Sequence, residues 1–330
     1  MEKKTIFSGM RPTGRLQLGN LLGALDNWIK LQDKYRCLFC VVDWHALTTA
    51  YEDPALLKEN TYEMVIDWLA AGLDPEESII FRQSDVKEHA ELHLLLSMFT
   101  PLSWLERVPN YKDQLQQLKD KNLSTYGFLG YPLLMAADIL LYRAEAVPVG
   151  EDQIPHIEIT REIARRFNYL YQKPYFPEPE TILNKVKVLP GIDGRKMSKS
   201  YGNTISMSDR PDEVRKKVRQ MITDPGRVRK NDPGNPSVCT AFTFHGVFNA
   251  EEVASVEQVC RRGEIGCVEC KKQLAERLVS YLEPIYERRQ ALQKEKNYIR
   301  EILADGAKRA SALAAENMAE IRELMNLGQL

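Results

Sequence analysis

Lys196 and Lys199 stand three residues apart in Gly194-Arg195-Lys196-Met197-Ser198-Lys199-Ser200, a spacing suited to gripping polyphosphate. Two ammonium groups on flexible stems can follow charge as it builds on a leaving pyrophosphate. Ser198, Ser200 and the loop N–H groups can donate to the same oxygens. A K-x-x-K pair alone is more often a solvated basic loop, so this reading needs a partner motif near the N-terminus. Met10 to Asn20 offers one, because it joins a strand-like segment, Thr5–Gly9, to a helix-like one, Leu21–Ile29. Such a βα turn can hold phosphate through free N–H groups and the positive end of the helix dipole. It lacks G-x-G-x-x-G, which argues against a dinucleotide fold.

The elements that position these loops alternate. Cys37–Val42 and Ser78–Arg82 read as strands, and Pro54–Ala71, closed by Gly72, and Val86–Met98 read as helices. Repeated βα units imply an α/β fold, a doubly wound, Rossmann-like parallel sheet with ligands at the carboxyl ends of its strands. Asp43-Trp44-His45 follows the second strand at such an end, where His45 either faces a ligand or is a satisfied core histidine. His89 and His93, at i and i+4 without a third ligand nearby, read as a surface face rather than a metal pair. Beyond the lysine loop the pattern turns helical. Asp209 is the expected cap of a helix opening at Pro211, Asn249 and Glu252 have capping-box spacing, and Val268–Leu327 is almost continuously helical with an interruption at Gly306. A second, all-helical domain follows.

The chain has 330 residues, 44% hydrophobic and 28% charged, with a formal net charge of -1, enough for two domains with their own cores. No apolar run reaches the roughly 18 residues of a membrane span and no signal-peptide segment is present, so a cytoplasmic protein without membrane attachment is expected. Arg215 to Lys230 holds seven basic residues against Asp224 alone, a solvated helix face or a nucleic-acid contact.

Phe7-Ser8-Gly9, Arg11-Pro12-Thr13-Gly14, Leu18-Gly19-Asn20 and Lys196–Ser200 together resemble the class I aminoacyl-tRNA synthetases. Tyr131–Tyr142 with Val147–Gln153 resembles the tryptophanyl-tRNA synthetases in particular, and the resemblance spans essentially the whole chain. One departure is Gln17-Leu18-Gly19-Asn20, where the family usually has a pair of histidines around a small residue and glycine. The resemblance implies activation of L-tryptophan with ATP and Mg2+, transfer to tRNA(Trp), and a homodimer. It implies three parts: 1–204 catalytic with an inserted dimerisation segment at about 100–187, 205–295 binding the anticodon, and 296–330 packing back on the first.

Lys196, Lys199 and Ser198 would be catalytic. Arg11, Pro12, Thr13, Gly19, Asn20, Met197 and Ser200 would join them around ATP, with Gly150, Glu151, Asp152 and Val188 near adenosine. Tyr131 and Gln153 would bind the substrate ammonium. Read physically, Met135, Val147 and Val149 can wall an indole slot with Leu133 and Leu134, Phe7 can stack on the ring, and Asp138 can accept the indole N–H. A carboxylate inside Met-Ala-Ala-Asp-Ile-Leu-Leu is costly to bury without such a partner. A tyrosyl-tRNA synthetase, a small-molecule nucleotidyltransferase and a non-catalytic RNA-binding redox sensor are the alternatives.

Cys37 and Cys40 lie inside an apolar strand and read as core. Cys239, Cys260, Cys267 and Cys270 give C-x20-C-x6-C-x2-C in the helical domain, a four-thiolate set open to zinc, an iron-sulfur cluster or unrelated thiols. Some tryptophanyl-tRNA synthetases carry a four-cysteine cluster beside the anticodon surface, so the resemblance favours 4Fe-4S with zinc as the alternative.

Overall fold

The computed structural model describes residues 3–109, 111, 123–183 and 189–328. Five short segments, β1 (Thr5–Met10), β2 (Arg36–Val41), β3 (Ser78–Arg82), β4 (Ala146–Val149) and β5 (Glu180–Leu183), form one sheet in the order β3-β2-β1-β4-β5. Every pairing is parallel, with Phe7 opposite Leu38 and Leu38 opposite Ile79. β2 is buried on both faces, as a central strand of a parallel sheet must be. Its Cys37 and Cys40 are core residues: burial pushes the Cys37 thiol up to about 12 and the Cys40 thiol well above its ordinary value. The winding reverses between β1 and β4, and such a switch point binds ligands at its carboxyl side. This is the doubly wound architecture that the alternation implies.

The chain divides into two compact units, Met1–Gly14 with Ala24–Lys185 and Glu295–Leu330, and Arg15–Gly23 with Val186–Lys294. In the first unit the helix Lys296–Leu324 lies on β3. Gly306 does not interrupt that helix. Its backbone comes so close to the sheet that a Cβ would sit 1.9 Å from the Ile80 carbonyl oxygen, so tertiary contact demands glycine where helix propensity disfavours it by about 1 kcal/mol. The break falls just before Lys296 instead. Tyr175 donates to the Asn317 carbonyl at 3.0 Å, and Arg322 donates to both Glu91 oxygens at 2.7 and 2.6 Å, fixing the returning helix.

The second unit is helical, with Pro211–Gln220, Thr240–Phe248, Val253–Arg261 and Cys267–Leu292. Val214 and Val218 are buried on the first of these and Leu274 and Leu278 on the last, while Arg215 donates to both Glu276 oxygens across the same pair at 2.9 and 3.0 Å. Two expected caps differ. Asp209 accepts from Ser206 N at 2.8 Å, and Glu213 instead accepts from Arg210 N at 2.9 Å to start the Pro211 helix. Asn249 ends the preceding helix rather than opening the next, because its N–H is held by the His245 carbonyl at 2.9 Å. No helix of the described residues is long and apolar enough to cross a membrane.

Candidate active site

The carboxyl ends of β2 and β3 converge on one buried carboxylate. Asp138 comes from the helix Tyr131–Leu141, whose apolar face the sheet buries, and it is 1% exposed. His45, just after β2, donates through Nε2 to Oδ2 at 2.8 Å, and Gln83, just after β3, donates to Oδ1 at 2.7 Å. His89 Nδ1 donates to the same Oδ1 at 2.7 Å, and its Nε2 lies 2.8 Å from the Tyr142 hydroxyl. Burial alone pushes Asp138 up, but the hydrogen bonds from His45 and His89 outweigh it and bring the group down to about 2. It is therefore a carboxylate at neutral pH.

His89 is fully buried, which corrects its reading as a surface residue. Its partner lies 49 residues away, so spacing along its own helix could not reveal it. His93 is half-buried, with Nε2 at 3.4 Å from Tyr126. His45 is buried on Asp138, which answers the open question about it with a satisfied histidine held at the site.

Of the residues read as walls of the slot, Leu133 and Val147 are buried in the same core as Phe7 and Met135 and Val149 are half-buried against it, while Tyr131 is half-buried. Phe7 is 3% exposed and one face of its ring stacks on Tyr142, with centroids 5.8 Å apart. The Tyr131 hydroxyl lies 3.0 Å from His156 Nε2. Burial pushes Tyr131 up to about 12 and His156 down to about 4, so at neutral pH both are uncharged. Gln153 donates to Asp152 at 2.7 Å in the turn after β4, where Gly150 opens the turn and Glu151 and Asp152 are exposed. Beyond β1, Arg11 and Thr13 are exposed and Pro12 is buried. Val188 lies outside the described residues.

The second unit carries the lysine loop and the Leu18-Gly19-Asn20 part of the N-terminal motif. Leu16–Leu18 pairs with the chain just beyond the lysine loop: Leu18 N donates to Ile205 O at 2.9 Å and Met207 N to Leu16 O at 3.0 Å. Asn20 Oδ1 accepts from Gln17 N at 3.1 Å. Gln17 Oε1 is buried with no partner. The lysine loop is held by a residue that sequence reasoning missed. Asn203, 2% exposed, accepts from Ser198 N at 2.8 Å and donates to Asp193 at 2.8 Å and to Lys196 O at 3.2 Å. Gly191 admits this amide, since a Cβ there would meet it at 2.2 Å. Met197 is buried, while Lys196 and Lys199 are exposed. Hydrogen bonds order the loop's main chain while both lysines remain exposed.

The four remaining cysteines share one corner of this unit. Arg227 Nη1 lies 3.9 Å from both Cys260 Sγ and Cys267 Sγ, and Cys270 Sγ lies 3.4 Å from His245 Nε2. Burial, and then the neighbouring thiols, push Cys270 up to about 12. Among the described residues no group of three or more His, Cys, Asp or Glu side chains is gathered as a metal-binding set.

The model of one family, class I tRNA synthetases (W and Y), matches residues 1–283. A tryptophan--tRNA ligase of Thermotoga maritima is 53% identical over 98% of this chain and 99% of its own length, and one of Aquifex aeolicus is 46% identical over 98% and 99%. The crystal structure of a Campylobacter jejuni tryptophanyl-tRNA synthetase complexed with ADP and tryptophan superposes with a TM-score of 0.88 at 35% identity, covering 98% of this chain and 100% of that one. A tyrosyl-tRNA synthetase from Archaeoglobus fulgidus shares the fold at a TM-score of 0.67 and 20% identity.

Proposed function

The chain belongs to the class I tRNA synthetases of the tryptophan and tyrosine group, and from that premise we infer that it activates L-tryptophan with ATP and loads it onto tRNA(Trp). The reaction is that of a tryptophan--tRNA ligase. Whole-length identity to tryptophan enzymes, against 20% to a tyrosine enzyme, sets aside the tyrosine and non-catalytic alternatives. One observation of the site carries the amino-acid choice: Asp138 is a buried carboxylate among apolar walls, a fit for a single ring N–H.

The tryptophan carboxylate attacks the α-phosphorus of ATP in line and pyrophosphate leaves, forming tryptophanyl-adenylate. The 2′-hydroxyl of the terminal tRNA adenosine then attacks the acyl carbon and AMP leaves. No side chain acts as a nucleophile, so rate comes from positioning and charge stabilisation. Lys196, Lys199 and Ser198 stabilise the departing pyrophosphate. Arg11, Pro12, Thr13, Gly19, Asn20, Met197 and Ser200 surround the phosphates, and Gly150, Glu151, Asp152 and Val188 the adenosine. Magnesium, carried on the ATP phosphates, supplies further neutralisation and is assigned no protein ligand. Asp138 takes the indole N–H, and Phe7, Met135, Val147 and Val149 form the walls. Tyr131 and Gln153 receive the ammonium, which the uncharged Tyr131–His156 pair supports by adding no positive charge of its own.

The enzyme works in the cytoplasm as a homodimer, for which exposed Leu94, Met98, Leu102 and Tyr126 of the first unit are the support. Cys239, Cys260, Cys267 and Cys270 would hold a 4Fe-4S cluster, with zinc as the alternative, in a part of the chain (205–295) that docks the anticodon. Support comes from the spacing, the shared corner and the Arg227 guanidinium beside two of the thiols. Such a group would staple the corner and needs its thiols deprotonated. Anaerobic purification should give brown protein with about four irons per chain, whereas colourless protein with one zinc would sink the cluster.

ATP–pyrophosphate exchange against each amino acid tests the main reading. Exchange driven by tryptophan alone is expected, and exchange driven by tyrosine would overturn it.

A further inference from the structure

Asp138 offers about four acceptor positions, and the described residues fill three. Oδ1 accepts from Gln83 and His89, and Oδ2 from His45. Each bond has a fixed direction. Gln83 Oε1 accepts from Trp44 N at 3.2 Å, so its NH2 must be the end on Asp138. His89 Nδ1 must carry hydrogen to meet a carboxylate, and in the neutral ring Nε2 then accepts from the Tyr142 hydroxyl. Tyr142 is 5% exposed and packed between Phe7 and Phe81, so its hydroxyl has no solvent to turn to.

We propose that the chain Tyr142 to His89 to Asp138, together with Gln83, saturates Oδ1 and leaves Oδ2 as the one oxygen with a vacant acceptor position, making His89, Gln83 and Tyr142 positioning residues for ring N–H selection. This rests on the tryptophan reading and adds the side chains that aim its recognition group. A carboxylate free to rotate would offer four equivalent acceptors and could satisfy itself with water or another donor orientation. A pinned one offers a single direction, and a substrate without a donor there leaves a desolvated charge short of a partner.

The test is ATP–pyrophosphate exchange with tryptophan and with its benzothiophene analogue, which lacks the ring N–H, on the wild type, His89→Gln and Tyr142→Phe. His89→Gln should lower tryptophan kcat/KM about 30-fold, mainly through KM, while the analogue changes less than about threefold. Tyr142→Phe removes one hydroxyl from a packed core and should cost about fivefold on tryptophan alone. If His89→Gln does not fold, Tyr142→Phe decides. Equal losses on both substrates would reduce these residues to packing and overturn the positioning role, as would no loss on either. Both of those outcomes leave tryptophan activation standing. A wild type without tryptophan-dependent exchange would instead overturn the function, and the positioning role with it.

Discussion

The buried carboxylate of the first unit and the lysine loop of the second handle charge in opposite ways. Asp138 is 1% exposed and every bond to it comes from a side chain fixed in the core. Lys196 and Lys199 are exposed, and the order in their loop belongs to Asn203 and the main chain. The difference follows from the two tasks. Choosing one amino acid by one N–H works only where an unpaired group is expensive, so the acceptor is dry and immobile. Holding charge that develops on phosphate needs cations that can follow it, presented from a frame that does not move.

The largest effect that would break this contrast is at Lys199. Lys199→Ala should slow adenylate formation by about three orders of magnitude or more, because the charge it meets develops mainly in the transition state. Burst kinetics read this directly, and a burst within about tenfold of wild type would remove Lys199 from the mechanism. Next is Asp138→Asn, which keeps the volume but turns an amide donor towards His45. Tryptophan kcat/KM should fall about 100-fold, and steady-state exchange across tryptophan concentrations measures it. Asn203→Ala sharpens the comparison from the other side. It frees the loop frame without touching a cation, so kcat should fall about tenfold at an unchanged tryptophan KM; a changed KM would tie the frame to selection.

The smallest effect is a pH dependence of stability. Burial holds the His156 pKa down at about 4, below an unfolded value of about 6.5. Between those values the unfolded chain binds a proton that the folded one refuses, so stability falls as pH drops from about 6.5 to 4 and is level above. Burial also lowers His93 and His245, which share the slope. Asp138, held down at about 2, keeps its contribution until the pH falls below about 4, outside this window. Urea midpoints at several pH values should therefore slope less in His156→Gln, and an unchanged slope would show that His156 is not buried neutral.

β1, β2 and β3 were legible because they are short apolar runs punctuated by glycine, proline and capping residues, and their parallel order follows from alternation with helices. β5, partly exposed and only four residues long, carries no such signal. What escaped depends on contacts distant in sequence. Gly306 reads as a helix break until the Ile80 carbonyl beneath it is seen. His89 reads as surface because no third ligand stands near the His89–His93 pair in the sequence, and only Asp138 explains its burial. Asp138 itself was legible as an anomaly, a charge in an apolar helix, though its three donors were not. Asn203 sits three residues past the lysine motif and gives no periodic signal. A buried asparagine serving two backbone groups is visible only once the loop has folded around it.

Tryptophan binding without ATP, measured by calorimetry on the wild type, Lys199→Ala and Asp138→Asn, tests the separation of selection from phosphate chemistry most directly. Lys199→Ala should bind tryptophan within about twofold of wild type, while Asp138→Asn should bind at least about 30-fold more weakly. A Lys199→Ala enzyme that lost as much tryptophan affinity as Asp138→Asn would contradict it.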